Sequence, residues 1–113
     1  MKVIRKELVY DGKKVSFTEP LEFSIEWEEE CYATRFLKRK IGCWIMEFED
    51  KENDIYVWSD GKTKEKAEED MAWAFVILYE EYALERDEML SKGARRLKTW
   101  LLANVEITEV KNG

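Results

Sequence analysis

The stretch Trp58-Ser59-Asp60-Gly61-Lys62-Thr63-Lys64-Glu65-Lys66-Ala67 joins an alternating strand pattern to a long amphipathic helix through one glycine turn. Asp60-Gly61 supplies the turn, Thr63 can accept a backbone N–H as a helix cap, and Glu65 suits the positive end of the helix dipole. From Lys64 to Leu84 the apolar residues Ala67, Met71, Ala74, Phe75, Leu78 and Tyr82 fall in one stripe at about 100° per residue, as a helix packed on a sheet requires. A chain built around this junction has to lay a helix back across its strands.

The strands come first. Val3 to Tyr10 and Lys14 to Thr18 flank Asp11-Gly12, a dipeptide that tolerates the positive φ angles of a tight hairpin turn. After Glu19-Pro20, Leu21 to Glu28 alternates without a fault and puts Leu21, Phe23, Ile25 and Trp27 on one face. Cys31 to Leu37 turns through the basic tip Lys38-Arg39-Lys40 into Gly42 to Glu49, and Asp54 to Trp58 leads to the helix. Beyond Glu85-Arg86-Asp87-Glu88, Ser91 caps a second, shorter helix carrying Ala94, Leu97, Trp100 and Leu101 to about Ala103, with Gly93 lowering its propensity. Val105 to Val110 alternates again as an edge strand, and Lys111-Asn112-Gly113 is expected to fray. Strands followed by helices, in antiparallel hairpins, imply an α+β fold: an antiparallel β-sheet with one long and one short helix packed on one face. The 113 residues carry no internal repeat or linker-like shift in composition, so one domain over 1–113 is expected.

Charge and composition narrow the function classes. The 19 Lys+Arg against 25 Asp+Glu give a net charge of −6, so the field of the whole chain repels a phosphate backbone and suits a basic partner. A charged fraction of 39% with a single Pro and five Gly is the balance of heat-adapted proteins. Two cysteines, Cys31 and Cys43, are too few for a disulfide framework and are read as free thiols. The run Met71 to Tyr79 falls far short of the ~20 apolar residues that cross a bilayer, and Met1 to Lys6 has no signal-peptide core, so a cytoplasmic location without membrane attachment is expected.

The sequence has no His, which removes Ser-His and Cys-His nucleophile pairs and Cys/His zinc sites. Glu28-Glu29-Glu30 is the densest carboxylate run, but successive strand residues point to opposite faces and converge poorly on an ion. Asp50, Glu52 and Asp54 have the spacing of a cation loop without the Gly and distal Glu of an EF-hand. Gly61 lacks the further glycines and the Lys of a phosphate loop. No catalytic residue, metal site or cofactor is therefore expected.

Two binding surfaces are expected instead. Trp73 and Val76 sit on the side of the long helix away from its main stripe, and Ala72 and Tyr79 widen the patch. Either the second helix or the tail covers them, or they form a protein interface, to a partner or to a second copy of the chain. The other candidate is Arg95, Arg96 and Lys98 near Trp100, which would contact nucleic acid, a partner that the net charge disfavours.

The sequence Gly61-Lys62-Thr63-Lys64-Glu65-Lys66-Ala67 at the start of a helix, preceded by strand hairpins, resembles the Gly-x-Thr-x-Glu-x-Ala signature of HicB-like antitoxin domains, over roughly Cys31 to Leu84. The resemblance implies a small sheet with one long helix, in a partial ribonuclease-H-like arrangement without catalytic activity, that binds and masks a small basic ribonuclease toxin. Three features depart from the family pattern: the Pro-and-Gly segment before the motif is missing, an N-terminal hairpin is added, and no DNA-binding tail follows. The chain is also similar to small uncharacterised prokaryotic proteins with a Phe-Thr-Glu-Pro turn, here Phe17-Thr18-Glu19-Pro20, and a Tyr-Ala-Leu helix end, here Tyr82-Ala83-Leu84; that similarity implies a fold and no activity. The expected function is a non-catalytic protein-binding module, with a small nucleic-acid-binding regulatory module as the alternative.

Overall fold

A computed structural model describes residues 1–32 and 40–110. The elements run β1 (Lys2–Tyr10), β2 (Lys13–Tyr32), β3 (Lys40–Asp50), β4 (Ile55–Gly61), α1 (Lys64–Leu78), α2 (Lys92–Asn104) and β5 (Val105–Glu109). A wider π turn, Tyr79–Ala83, prolongs α1, and a 3-10 turn at Asp87–Met89 leads to α2. The chain is α+β: a five-stranded antiparallel sheet carrying one long and one shorter helix. Both expected caps form, with Thr63 Oγ1 accepting from Lys66 N at 3.1 Å and Ser91 Oγ from Ala94 N at 3.2 Å. The tail strand also forms, as β5. Lys38 and Arg39 of the basic tip, and Lys111 to Gly113, lie outside the described residues.

β2 organises the sheet. Its residues Lys13 to Ser16 pair with both β1 and β5, and Ser24 pairs with both β1 and β3, so β1 takes one edge while β5 and β3 share the other. β4 then adds to β3. The Asp11-Gly12 turn has φ of 46° and 76°, the two positive values that a two-residue I′ hairpin needs. The expected break at Glu19-Pro20 is absent, and β2 runs through it for 20 residues. Pairing with β1 slips there, from Arg5↔Leu21 to Glu7↔Ser16, and a proline without an N–H is tolerated at such a bulge.

The core lies between the sheet and the helices, with Phe75 of α1 at its middle, 5.2 Å from Phe17 and 6.2 Å from Phe48 between ring centroids. Phe48 in turn meets Trp100 of α2 at 5.6 Å. Both outer strands reach α1. From β1, Arg5 Nε lies 2.5 Å from Glu68 Oε1, Tyr10 packs on Trp73 at 5.7 Å, and Lys13, just past the turn, reaches Glu80 at 3.3 Å. From β4, Ser59 Oγ donates to Ala67 O at 2.8 Å and Asp60 N to Asp70 Oδ2 at 3.2 Å. The helix is thus gripped on two flanks, and its buried set, Ala67, Met71, Ala72, Phe75 and Val76, is wider than the single expected stripe.

Trp27 lies on the expected face without being buried, and the reading of the cysteines is corrected. Trp27 shares a face with Phe23 and Ile25 but is 48% exposed. It lies edge-on to Trp44 at 5.5 Å, whose ring carries Lys64 Nζ 4.8 Å from its centroid. Cys31 and Cys43 are not free thiols: they form a disulfide across β2 and β3, with Cα atoms 5.9 Å apart, in the usual range. A register shift between Glu28 and Cys31 sets the two cysteines diagonally across the hairpin, and spacing along the chain does not reveal such a register.

Candidate protein interface

Strand alternation sends one set of side chains to the helices and the other set away from them. Leu8, Val15, Phe17, Phe23, Ile25, Met46, Phe48, Ile55 and Val57 belong to the buried core. Their neighbours face outward, where no helix lies. Cross-strand pairing arranges these outward residues in rows, Lys2–Ser24–Glu47–Trp58 across four strands and Glu26–Ile45–Asp60 across three, with Ile4 beside Glu22, Glu49 beside Tyr56 and Glu28 beside Cys43. Five carboxylates, Glu22, Glu26, Glu28, Glu47 and Glu49, therefore collect on one face of two adjacent strands.

Large apolar side chains stand among them. Ile4, Tyr56 and Trp58 are 66%, 55% and 56% exposed. Tyr56 donates its hydroxyl to Glu47 Oε2, and that hydrogen bond, with partial desolvation and the carboxylate charges of Glu47 and Glu49, pushes the phenol pKa up. A depression of about 430 Å³ opens between Lys2, Glu22, Ser24, Glu47, Glu49 and Tyr56. The Met1 amine pairs with Glu26, Lys2 stands beside it, and further along the same face Lys14 pairs with Glu7 at 3.8 Å. The face as a whole joins an anionic field to exposed aromatic rings, a surface suited to Lys and Arg side chains with their apolar stems.

The residues singled out in the sequence are dispersed. Ala72 and Val76 are 0% and 1% exposed, inside the chain's own core, because β1 and β4 hold both flanks of α1. Tyr79 is half-buried, and Trp73 keeps 42% exposure against Tyr10, so the four do not share one surface. Of the basic group on α2, Lys98 bonds to Asp87 Oδ1 at 2.9 Å and holds that carboxyl below its ordinary pKa. Arg95 Nε donates to Asp87 O at 2.9 Å, while Arg96 points to a depression beside the β3–β4 turn. Trp100, expected to stand beside the basic group, is 8% exposed and part of the core. Asp50 accepts from Asn53 N at 3.1 Å and Nδ2 at 2.8 Å, which holds its pKa low. Among the described residues, no three His, Cys, Asp or Glu are grouped to hold a metal ion.

The outward face escaped the sequence reading although its signal was present. Glu22, Glu26 and Glu28 share a parity, as do Tyr56 and Trp58, and only the strand register shows that these sets lie side by side. The chain matches no protein-family model, no curated protein and no solved structure.

Proposed function

We propose that the chain is a non-catalytic, cytoplasmic protein-binding module of the HicB-like kind that sequesters a small basic protein such as a ribonuclease toxin. The observation that carries this reading is the uncovered sheet face, where five glutamates on β2 and β3 lie beside Tyr56 and Trp58 of the edge strand β4. Charge complementarity selects the occupant: a basic protein neutralises the glutamates, and the aromatic rings supply the desolvated contacts that hold it. The net charge of −6 reinforces the attraction. An antiparallel sheet running through Gly61 into a capped long helix supports the antitoxin resemblance. The disulfide is compatible with a cytoplasmic location in a heat-adapted prokaryote, where intracellular disulfides occur, and the charged fraction of 39% agrees.

The test asks whether a gene beside this one encodes a small basic protein, whose absence counts against the proposal, and pairs that protein with the purified chain. A complex of sub-micromolar affinity is expected, weakened about a hundredfold by Trp58→Ala combined with Glu47→Lys, through loss of an aromatic anchor and reversal of a charge. No complex, or one indifferent to that double change, overturns the proposal.

A further inference from the structure

A second concave surface lies away from the acidic face, between α2 and the β3–β4 turn. Lys92, Arg95, Arg96, Thr99, Trp100 and Asn104 of α2 line it on one side, and Asp50 and Asn53 on the other. The spacing along α2 is that of one helix face, so these side chains converge on a common volume of about 600 Å³, within the range of small-ligand sites.

Its charge is opposite to that of the chain. Three cations face one carboxylate, in a protein where acidic residues outnumber basic ones by 25 to 19. Seven ion pairs form among the described residues, and none of them includes Lys92, Arg95 or Arg96. Arg95 feels the charge of the nearby Asp87 carboxylate, which Lys98 already pairs, and Asp50 lies across the depression, so three cations against these two carboxylates leave the site with a net positive charge. The polar groups around them are already placed: Asn53 holds Asp50, Asn104 Nδ2 donates to Trp100 O at 2.9 Å, and Arg95 is steadied by the Asp87 carbonyl. Forked guanidinium donors match phosphate oxygens in particular.

We propose that this depression binds the phosphate group of a small phosphate ester of mononucleotide size, held by Lys92, Arg95 and Arg96. The same chemistry could be offered by a phosphate of a nucleic-acid strand. A strand, however, continues beyond the depression over a surface whose net charge is −6, whereas a small ester does not. Asp50 faces the bound anion across the cavity and opposes it.

Titration of the full chain with adenosine monophosphate, with adenosine, and with a single-stranded ten-nucleotide RNA, followed by calorimetry, tests the assignment. The monophosphate is expected to bind and adenosine not to. Arg96→Ala and Lys92→Ala should each weaken the monophosphate by at least about tenfold, the usual effect of losing one charge-assisted hydrogen bond, and Asp50→Asn should tighten it. Both Lys92 and Arg96 are exposed, so the variants should melt like the wild type, which a thermal scan verifies. Monophosphate binding that is absent at millimolar concentration, or indifferent to Arg96→Ala, overturns the site. RNA binding tighter than the monophosphate and lost in Arg96→Ala overturns the small-ester assignment in favour of a strand.

Discussion

Single residues make the junction between sheet and helix. At Gly61 any added Cβ would meet the backbone of Lys66 and Ala67, which cannot move without unwinding the first turn of α1. At Gly42 the obstacle is the indole of Trp27, a half-exposed side chain that can give way by loosening its edge contact with Trp44. Gly61→Ala is therefore expected to cost about 1–3 kcal/mol in urea unfolding, and Gly42→Ala less than about 1 kcal/mol. A change in Trp fluorescence is expected for Gly42→Ala. Asp70 gives a prediction of opposite sign. Burial, assisted by the nearby Asp60 carboxylate, raises its pKa above that of the unfolded chain, despite the hydrogen bond from Asp60 N. A carboxyl with a raised folded pKa binds its proton more tightly when folded, so its charged form detracts from stability at neutral pH, and that loss disappears as pH falls through the folded pKa. Asp70→Asn keeps an acceptor for Asp60 N. It should raise the melting temperature at pH 7 and lose that advantage in acid, a trend that scans from pH 3 to 7 would reveal.

At the scale of elements, what was legible in the sequence depended on how local its cause was. The Asp11-Gly12 turn, the Thr63 and Ser91 caps and the alternation of β5 are set by chemistry within a few residues, and each forms as read. The unbroken course of β2 through Pro20, the Cys31–Cys43 disulfide and the burial of Ala72 and Val76 depend on registers and on the two-sided grip on α1, which no window of sequence contains. The candidate face was half legible, since parity along each strand was readable and the order of strands was not. Val76 makes the difference measurable. Lying in the core of its own chain, it should respond to Val76→Asp by unfolding, at a cost of at least about 3 kcal/mol, rather than by dissociating an oligomer. Sedimentation that showed a lighter but still folded species would contradict this. The disulfide closes a loop over a separation of 12 residues, for which chain entropy gives about 3 kcal/mol. Cys31→Ser with Cys43→Ser should lower the unfolding free energy by about that amount, and a reducing agent should do the same to the wild type and nothing to the double variant.

Over the whole molecule, the −6 charge is unevenly spread. Glutamates crowd the uncovered face of the sheet, and three cations only partly offset by Asp50 and Asp87 sit at the α2 depression. Long-range attraction and short-range adhesion should then separate kinetically on the acidic face. The field of Glu22, Glu26, Glu28, Glu47 and Glu49 acts while a basic partner is still approaching, so it governs the association rate and weakens as salt shortens the screening length from about 10 Å at 0.1 M to about 3 Å at 1 M. Ile4, Tyr56 and Trp58 act only on contact, through desolvated area, and govern dissociation. Surface plasmon resonance against the basic partner should therefore show Glu26→Lys with Glu49→Lys slowing association about tenfold or more at low salt, with much of the difference lost near 1 M. Trp58→Ala should speed dissociation at every salt concentration and leave association within about twofold. If the charge reversals changed only dissociation, the glutamates would be contact residues and not a steering field; if neither set of changes had any effect, the partner would sit on another face.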